Sequence, residues 1–325
     1  MNIHPELRAL RGEESPQRDA QTALYSALGE WRKTPEVAKI LTEISRYDQS
    51  GVIGDCPALA GLFEPRSRSA RTFAARFSRV TLRSLADNQL GHVPFRHFTD
   101  GVLSTLLLAR SGHVTLSLVA LDGAGIAGRP DPVTADFSPS EVWECFLAGR
   151  GQAQAIERLS GDENQTRLVS RMLDLEPGTI VHRDARREAL LVRKAQGCLV
   201  SLRLQRRIAD AGPTREYNLT DGKLVHQAAG NPRDSRIELM MAALGRMQRA
   251  DAAPVFACVA REEGSTALRW QALRECLALD TMTGFSALTA VARSHHDELA
   301  PAAGALRSQL VEAHPQLEEI VKCPA

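Results

Sequence analysis

The stretch VLSTLLLARSGHVTLSLVAL, residues 102–121, decides the fold of this chain. It contains two runs rich in leucine, valine and threonine, residues 102–109 and 113–121, and Arg110-Ser111-Gly112 joins them with a glycine in the loop. Two strands joined by so short a loop pair antiparallel, because a parallel pair needs a crossover of about a dozen residues or more. The stretch therefore predicts a β-hairpin and, with it, an antiparallel sheet.

Similar runs continue along the chain as far as residue 228. Candidate strands lie at residues 142–147, 152–156, 168–175, 179–181, 189–192, 198–204, 216–219 and 223–227. Turn signals separate them, among them Ala148-Gly149-Arg150-Gly151 and Gln196-Gly197, which we interpret as the turns of two further hairpins. Many short strands with regularly spaced turns are typical of an antiparallel sandwich or barrel. We place this β domain at residues 78–230.

The residues before the β domain predict an arm and helices. Residues 1–19 are polar and show no apolar stripe, so we expect a loose arm there. From about residue 20 to 48 the apolar residues recur with helical spacing, and Thr34-Pro35-Glu36 supplies the cap, the proline and the first-turn acid of a helix start. Residues 1–77 are therefore assigned to a flexible arm and a helical lead-in.

The periodicity changes to helical near residue 231. Apolar residues recur every three or four positions through a methionine stripe, Met240, Met241 and Met247, which we expect to be core between paired helices. Two helix–turn–helix segments align with each other at an offset of 29 residues, so that Met241 corresponds to Trp270. Helix pairs repeated at such a period are typical of a helical solenoid. Residues 231–325 are assigned to a repeat-like helical domain.

Composition limits the classes of function. The chain has 325 residues, and its 40 Lys+Arg against 39 Asp+Glu leave a formal charge of +1. This balance excludes a strongly basic nucleic-acid binder, and the 5% aromatic content does not favour a stacking platform for single strands. No apolar stretch is long enough for a membrane span, no leader is visible, and the six cysteines form no CxxC pair. We therefore expect a cytoplasmic protein without a membrane partner.

Two segments of the β domain resemble the cupin superfamily. EVWECFLAGRG, residues 141–151, is similar to the strand, glycine turn and strand that end the first cupin motif, and LDLEPGTIV, residues 173–181, is similar to the entry of a later cupin strand. The resemblance implies a cupin-like β-sandwich. Metal-binding cupins carry two closely spaced histidines and a glutamate ahead of that glycine turn, whereas residues 135–144 contain no histidine. The resemblance therefore implies the scaffold without the family's usual metal site.

One glycine motif, GAGIAG at residues 123–128, satisfies the GxGxxG pattern of dinucleotide-binding loops. Such a loop must open a helix whose N-terminus meets the pyrophosphate. The next residues are Arg129-Pro130-Asp131-Pro132, and two prolines so close together do not begin a crossover helix. We interpret the motif as a loop and expect no cofactor.

A candidate metal site lies further along the chain. His182 and Asp184 form an HxD pair at the end of a predicted strand, and with His226 they match the two imidazoles and one carboxylate that bind iron in non-haem Fe(II) oxygenases. Arg236 resembles in position the arginine that anchors oxoglutarate in Fe(II)/2-oxoglutarate dioxygenases. This alternative implies Fe(II) or Mn(II), and the competing interpretation places the same residues at the surface near turns.

Two clusters of basic residues are also candidate contact surfaces. The first comprises Arg66, Arg68, Arg71, Arg76, Arg79 and Arg83, and the second comprises Arg183, Arg186, Arg187, Arg193 and Lys194. Either cluster could contact phosphates or an acidic partner, or could be a solvated face of a neutral protein.

Two main hypotheses of function follow. The first is a non-catalytic cytoplasmic binding or regulatory protein, with a small ligand or its own side chains in the cupin-like pocket and a protein partner on the C-terminal helices, which are similar to HEAT-type repeats. The second is a metal-dependent oxygenase or other cupin enzyme that uses His182, Asp184 and His226. A nucleic-acid-associated role of the first basic cluster is a third hypothesis, which the neutral charge does not favour.

Overall fold

The chain forms two compact units in the computed structural model, which describes residues 13–65, 67–161, 164–208 and 212–320. The first unit contains the described residues up to 208 and Arg215–His226, and the second contains 212–214 and the described residues from Gln227 onward. The predicted α+β class is confirmed, because N-terminal helices, antiparallel sheets and C-terminal helices are all present. None of the described helices is both long and apolar enough to cross a membrane.

Four α-helices precede the sheets among the described residues of the first unit. They are α1 (Ser15–Lys33), α2 (Pro35–Ser50), α3 (Pro57–Ala60) and α4 (Ser69–Asp87). α2 begins as predicted, with Pro35 at its first position and Glu36 in its first turn, and it ends at Gly51, which adopts the left-handed conformation. Proline suits that position because its missing N–H has no partner in the first turn of a helix.

Two stretches differ from the sequence-based expectation. The loose arm predicted for residues 1–19 is wrong from Ser15 onward, because Pro16 is a first-turn residue of α1; residues 1–12 lie outside the described part. Residues 78–87, which the pattern assigns to strands, are the last turns of α4. Their buried residues continue the spacing of Phe73 and Phe77, so a single helix crosses the 77/78 boundary.

Ten strands follow among the described residues, nearly all of them in the first unit. They are β1 (His97–Thr99), β2 (Leu103–Ser111), β3 (Val114–Asp122), β4 (Thr134–Phe137), β5 (Ser140–Gly161), β6 (Thr166–Leu175), β7 (Ile180–Asp184), β8 (Glu188–Arg207), β9 (Thr214–Asn218) and β10 (Leu224–Ala228). The larger sheet has the order β1-β2-β3-β8-β5-β6 with β7 beside β5, and the smaller sheet has the order β10-β9-β4. The predicted hairpin is confirmed as the antiparallel pair β2–β3.

The turns predicted at 148–151 and 196–197 are wrong. Gly149 and Gly197 do adopt left-handed backbone conformations, but neither reverses the chain. β5 and β8 each run through the glycine as one long strand, and they stay paired on both sides of it with register shifts around Ala148. The glycines therefore mark bulges that bend two paired strands together, because a bulge turns a strand without ending its ladder.

The N-terminal helices cover one face of the larger sheet. Cys145 of β5 and Leu204 of β8 belong to the same buried cluster as Trp31 of α1. The Trp31 ring lies 5.5 Å from the ring of Phe73 and 5.2 Å from that of Phe77, so α1 and α4 are locked together by aromatic contacts. Burial of one large apolar side chain contributes about 1.5–3 kcal/mol, so helices and sheet stabilise each other as one core.

The described residues of the second unit from Pro232 onward form helices. They are α6 (Pro232–Arg246), α7 (Ala253–Val259), α8 (Thr266–Leu279), α9 (Thr281–Ala292), α10 (Ala300–Ala313) and α11 (Leu317–Ile320). Met241 is buried in their core, but Met240 is 55% and Met247 64% exposed, so the prediction of a fully buried methionine stripe is wrong. Met240 is rotated about 100° from Met241 on the helix, and Met247 lies at the end of α6.

We predict that Gly149→Ala destabilises the protein more than Gly178→Ala. Both glycines have positive φ, which costs an L-residue about 1–2 kcal/mol. A Cβ at Gly149 would in addition overlap the carbonyl oxygen of Cys198 in β8, whereas a Cβ at Gly178 would meet no atom within 4 Å. Urea unfolding of the two variants measures the difference, and equal destabilisation would contradict the tight β5–β8 bend.

Candidate functional site

An open cleft of about 960 Å³ lies in the first unit and is called the outer cleft below. One wall is the segment that follows β3, within residues 123–131. The opposite side is formed by β5 at 150–152, by the end of β6 and the next residue at 174–176, and by β8 at 193–196. The cleft therefore lies where β5 and β8 bend.

The glycine motif forms a wall of the outer cleft. The Asp122 carboxylate accepts the Gly125 N–H at 2.7 Å and caps α5 (Gly123–Ala127), a helix of five residues. A Cβ on Gly123 would overlap the carbonyl oxygen of Ala195, so glycine is needed for the close approach of this segment to β8. The predicted loop is thus a single short helix. It lacks the length of the crossover helix that a dinucleotide site uses.

Two arginines of the cleft hold its wall in place. Arg129 Nη1 lies 3.3 Å from Asp100 Oδ2. Arg193 donates from Nε to Gln154 Oε1 at 2.9 Å and from Nη1 to the Pro132 carbonyl at 3.0 Å. Both guanidinium groups are therefore engaged in tying the segment after β3 to the rest of the first unit.

Two other cations of the cleft are free. Arg150 and Lys194 make no side-chain hydrogen bond or ion pair with any residue that the structure describes. Arg150 is opposite Gln196 and Gln152 is opposite Lys194 in the β5–β8 ladder, so all four side chains lie on one face of the sheet. Arg150 and Lys194 are diagonal neighbours, whose Cα atoms are about 7–8 Å apart, and both long side chains can reach one anionic group.

The cleft is suited to binding by charge and hydrogen bonds. Its described lining contains no histidine, cysteine, serine, threonine or tyrosine. It has three carboxylates. Asp131 lies 4.0 Å from Arg193 Nη1, Asp174 accepts a hydrogen bond from Gln152 Nε2 at 3.0 Å, and Glu176 is exposed. The described lining therefore offers no hydroxyl or thiol nucleophile beside a histidine base, and its titratable groups are arginines, a lysine and carboxylates.

A buried ionic cluster lies on the sheet face opposite the helices. Glu144 is 2% exposed, and its Oε1 accepts Ser201 Oγ at 2.6 Å and Arg203 Nη2 at 2.9 Å. Its Oε2 accepts Arg183 Nη1 at 3.3 Å. Burial alone would raise the pKa of Glu144, but the two arginines and the serine hold that pKa below its ordinary value. Glu144 is therefore a buried carboxylate, and its partners compensate its charge.

A second network joins α2 to the larger sheet. The Tyr47 hydroxyl donates to Glu141 Oε2 at 2.7 Å, Arg206 Nη2 lies 3.2 Å from the same oxygen, and His182 Nε2 lies 3.0 Å from Glu141 Oε1. The Trp143 ring stacks on the His182 ring at 3.8 Å. Burial, followed by the bond to Glu141, raises the pKa of Tyr47 to about 12. Burial opposes ionisation of Glu141, yet its three partners hold its pKa below the ordinary value.

The structure does not bring the predicted metal ligands together. His182 contacts Glu141, and Asp184 on the same strand accepts Arg186 Nη2 at 2.7 Å. His226 lies on β10 of the smaller sheet, and Arg236 is exposed on α6 of the second unit. No group of three or more His, Cys, Asp and Glu side chains among the described residues is arranged to hold a metal ion. The donor set therefore does not fit the iron that the alternative implies, because His182 and Asp184 are bonded to Glu141 and Arg186 and do not converge with His226 on a common point.

The two basic clusters have different surroundings. Most of the second cluster is engaged inside the first unit, because Arg183 bonds to Glu144, Arg186 to Asp184 and Arg193 to Gln154. The first cluster lies on an exposed face of α4 and at its N-terminal end, and Arg66 is outside the described residues. Sequence reasoning included Lys194 in a cluster but missed Arg150, because their proximity depends on the β5–β8 register.

Comparisons with known proteins give distant structural similarity. No family model and no curated protein matches the chain. A 7S globulin of Momordica charantia is 15% identical with a TM-score of 0.26, over 39% of this chain and 36% of that one. HutD of Pseudomonas fluorescens is 14% identical with a TM-score of 0.25, over 35% and 57%. A cupin superfamily protein of Desulfitobacterium hafniense is 16% identical with a TM-score of 0.22, over 34% and 83%. The match thus spans about a third of the globulin and somewhat over half of HutD.

We predict that Glu144→Gln lowers the free energy of unfolding by about 3 kcal/mol at pH 7, because it removes the buried carboxylate that two partly buried guanidinium groups share. Because the pKa of Glu144 is lowered on folding, its contribution is present above the unfolded-state pKa and is lost as pH falls through the folded-state pKa. Urea unfolding between pH 7 and pH 3 should therefore show a smaller acid destabilisation for the variant than for the wild type. Glu30→Gln, in an exposed pair with Lys33, is the matched control and should change little.

We predict that the purified protein retains no stoichiometric metal after incubation with Fe(II) or Mn(II) and desalting. The reason is that the His182 ring is bonded to Glu141 and the Asp184 carboxylate is bonded to Arg186. His226 lies on β10 of the smaller sheet. Elemental analysis of the wild type and of His182→Ala measures this. One ion per chain that is lost on His182→Ala would restore the metal-site hypothesis.

Proposed function

We propose that this chain is a non-catalytic cytoplasmic binding or regulatory protein. Its outer cleft takes a small acidic molecule, and its C-terminal helices, stacked as HEAT-like pairs, dock a protein partner. The observation that carries the proposal is the pair Arg150 and Lys194, which line the cleft on one sheet face and have no anionic partner among the described residues.

The dimensions of the cleft support a small-molecule ligand. Its volume of about 960 Å³ is within the range of about 300–1,000 Å³ that is usual for ligand pockets. Ile126 and Ala127 supply apolar contact area, while Gln152 and Gln196 supply amide groups. Such a mixture orients a ligand through a few polar contacts and buries its apolar part.

The charges of the cleft support an acidic ligand. Arg129 and Arg193 are engaged with protein groups, so they shape the wall and do not need a ligand. Arg150 and Lys194 are the cations left for it, and an arginine binds a carboxylate or phosphate with two parallel hydrogen bonds. Glu176 at the rim would repel a second anionic group and attract an amine or hydroxyl. A carboxylate or phosphate ester with one polar group at its other end fits best.

The C-terminal helices support the second part of the proposal. In the second unit an open groove of about 740 Å³ lies between α8 and α10, with Trp270, Leu277, Leu306 and Leu310 among its lining residues. α8 packs against α6, α7 and α9, and α9 packs against α10, so neighbouring helices of this unit share one apolar core. Exposed apolar grooves between helices are typical docking sites for protein segments.

The test is the binding of small acids to the full chain, measured by isothermal titration calorimetry with malate, glutamate, citrate and glucose 6-phosphate. We expect at least one of them to bind. The double substitution Arg150→Gln, Lys194→Gln should weaken its affinity at least tenfold, or about 1.4 kcal/mol, because both cations are lost.

The matched control is Arg167→Gln, Arg171→Gln. It removes two exposed arginines of β6 that do not line the outer cleft. This control should leave the affinity unchanged. Equal losses in both double variants, or no binding of any of the four acids at millimolar concentration, would contradict an acidic ligand in this cleft.

A further inference from the structure

We propose that the N-terminal helices bind an acidic amphipathic helix of a partner protein, in a groove between α2, α3 and α4 that is called the basic-rimmed groove below. This site is in a different part of the first unit from the outer cleft. The proposal therefore does not depend on the acidic ligand or on the C-terminal helices.

The floor of the groove is apolar. The groove has a volume of about 490 Å³ and lies between three helices of the first unit. Its apolar lining consists of the exposed Pro57, the half-buried Ala58 and the outer edges of four buried core residues, Val37, Ile40, Leu62 and Phe73. A groove with such a floor accepts the apolar side chains that an amphipathic helix places at every third or fourth position.

The rim of the groove is basic. Lys39, Arg68 and Arg76 line it, and Glu36 is its one acidic residue among those described. Glu36 pairs with Arg76, so its charge is already compensated. Lys39 and Arg68 are exposed and have no ion pair with a described residue. A partner that fills the groove must therefore bring carboxylates to meet these two cations.

The basic character extends along the exposed face of α4. Arg71, Arg79 and Arg83 lie on that face without an ion pair among the described residues, and α4 has no acidic residue before Asp87. Arg79 and Arg83 are spaced by four residues, and like charges at this spacing destabilise a helix. An acidic partner would remove this repulsion. Carboxylates should therefore bind to this surface more favourably than to the same number of isolated arginines.

The shape and extent of the surface favour a protein helix over a nucleic acid. From Arg68 to Arg83 the basic face is about 22 Å long, or four helical turns, and Glu64 and Asp87 bound it in the sequence. A long polyanion would continue past these acids over a protein of net charge +1. Leu82 lies outside the groove on the same side of α4 and is 66% exposed. An amphipathic helix can contact it with aliphatic side chains, which a phosphate backbone does not offer.

The test uses a synthetic probe and the full chain. The probe is a fluorescein-labelled peptide of about 15 residues, with leucine at helical spacing on one face and glutamate on its flanks. We expect it to bind in fluorescence anisotropy titrations, and its analogues with lysine for glutamate or serine for leucine to bind at least tenfold more weakly. Lys39→Glu, Arg68→Glu should weaken the glutamate probe at least tenfold. Thr72→Trp, which fills the groove from α4, should do the same without changing a charge.

Matched controls separate this site from general charge effects. Arg167→Glu, Arg293→Glu makes the same change in net charge at exposed arginines outside the groove and should alter binding less than twofold. Circular dichroism and thermal unfolding show that each variant is folded. The same titrations are made with a single-stranded oligonucleotide and with phosphatidylserine vesicles. The proposal is overturned if either one binds more tightly than the peptide and loses that binding on Lys39→Glu, Arg68→Glu. Equal effects of the two double variants on the peptide, or self-association of the chain through the groove, would also overturn it.

Discussion

The unbroken pairing of β5 with β8 is the constraint on which the first unit depends. Each buried backbone N–H and C=O must find a partner, so two long strands can bend only if their ladder bends with them. Gly149 and Gly197 allow the ladder to bend because they adopt left-handed backbone conformations. The register shifts around Ala148 separate two paired stretches of β5 and β8. One stretch faces the N-terminal helices, and the other forms one side of the outer cleft.

The alternation of side chains across β5 separates two environments one residue apart. Cys145 points into the apolar core shared with the helices, and Glu144 points to the other face. A carboxylate is tolerated there because Arg183, Arg203 and Ser201 offset its desolvation. Glu141 of the same strand accepts a hydrogen bond from Tyr47 of α2. Polar contacts as well as apolar burial therefore hold the N-terminal helices on the larger sheet.

The sequence identified several individual residues of the candidate sites, but it did not show which of them lie together. It identified Lys194 and the arginines of α4 as basic clusters, since charge is visible in any sequence. It missed Arg150, because that residue meets Lys194 only through the β5–β8 register. It also grouped His182 with His226, although β7 and β10 belong to different sheets. Spacing along the chain carries no information about which sheet a strand joins.

The order of side-chain periods by itself determined the class of this protein: helical, then alternating, then helical again, with the β2–β3 hairpin as its clearest signal. It also determined the near-neutral charge that argues against a nucleic-acid binder. The tertiary structure alone decided whether a glycine ends a strand or bends it, and which charges find partners. The physical reason is that local periodicity reflects which face of an element is buried, whereas continuity of a ladder and pairing of charges depend on residues far apart in the chain.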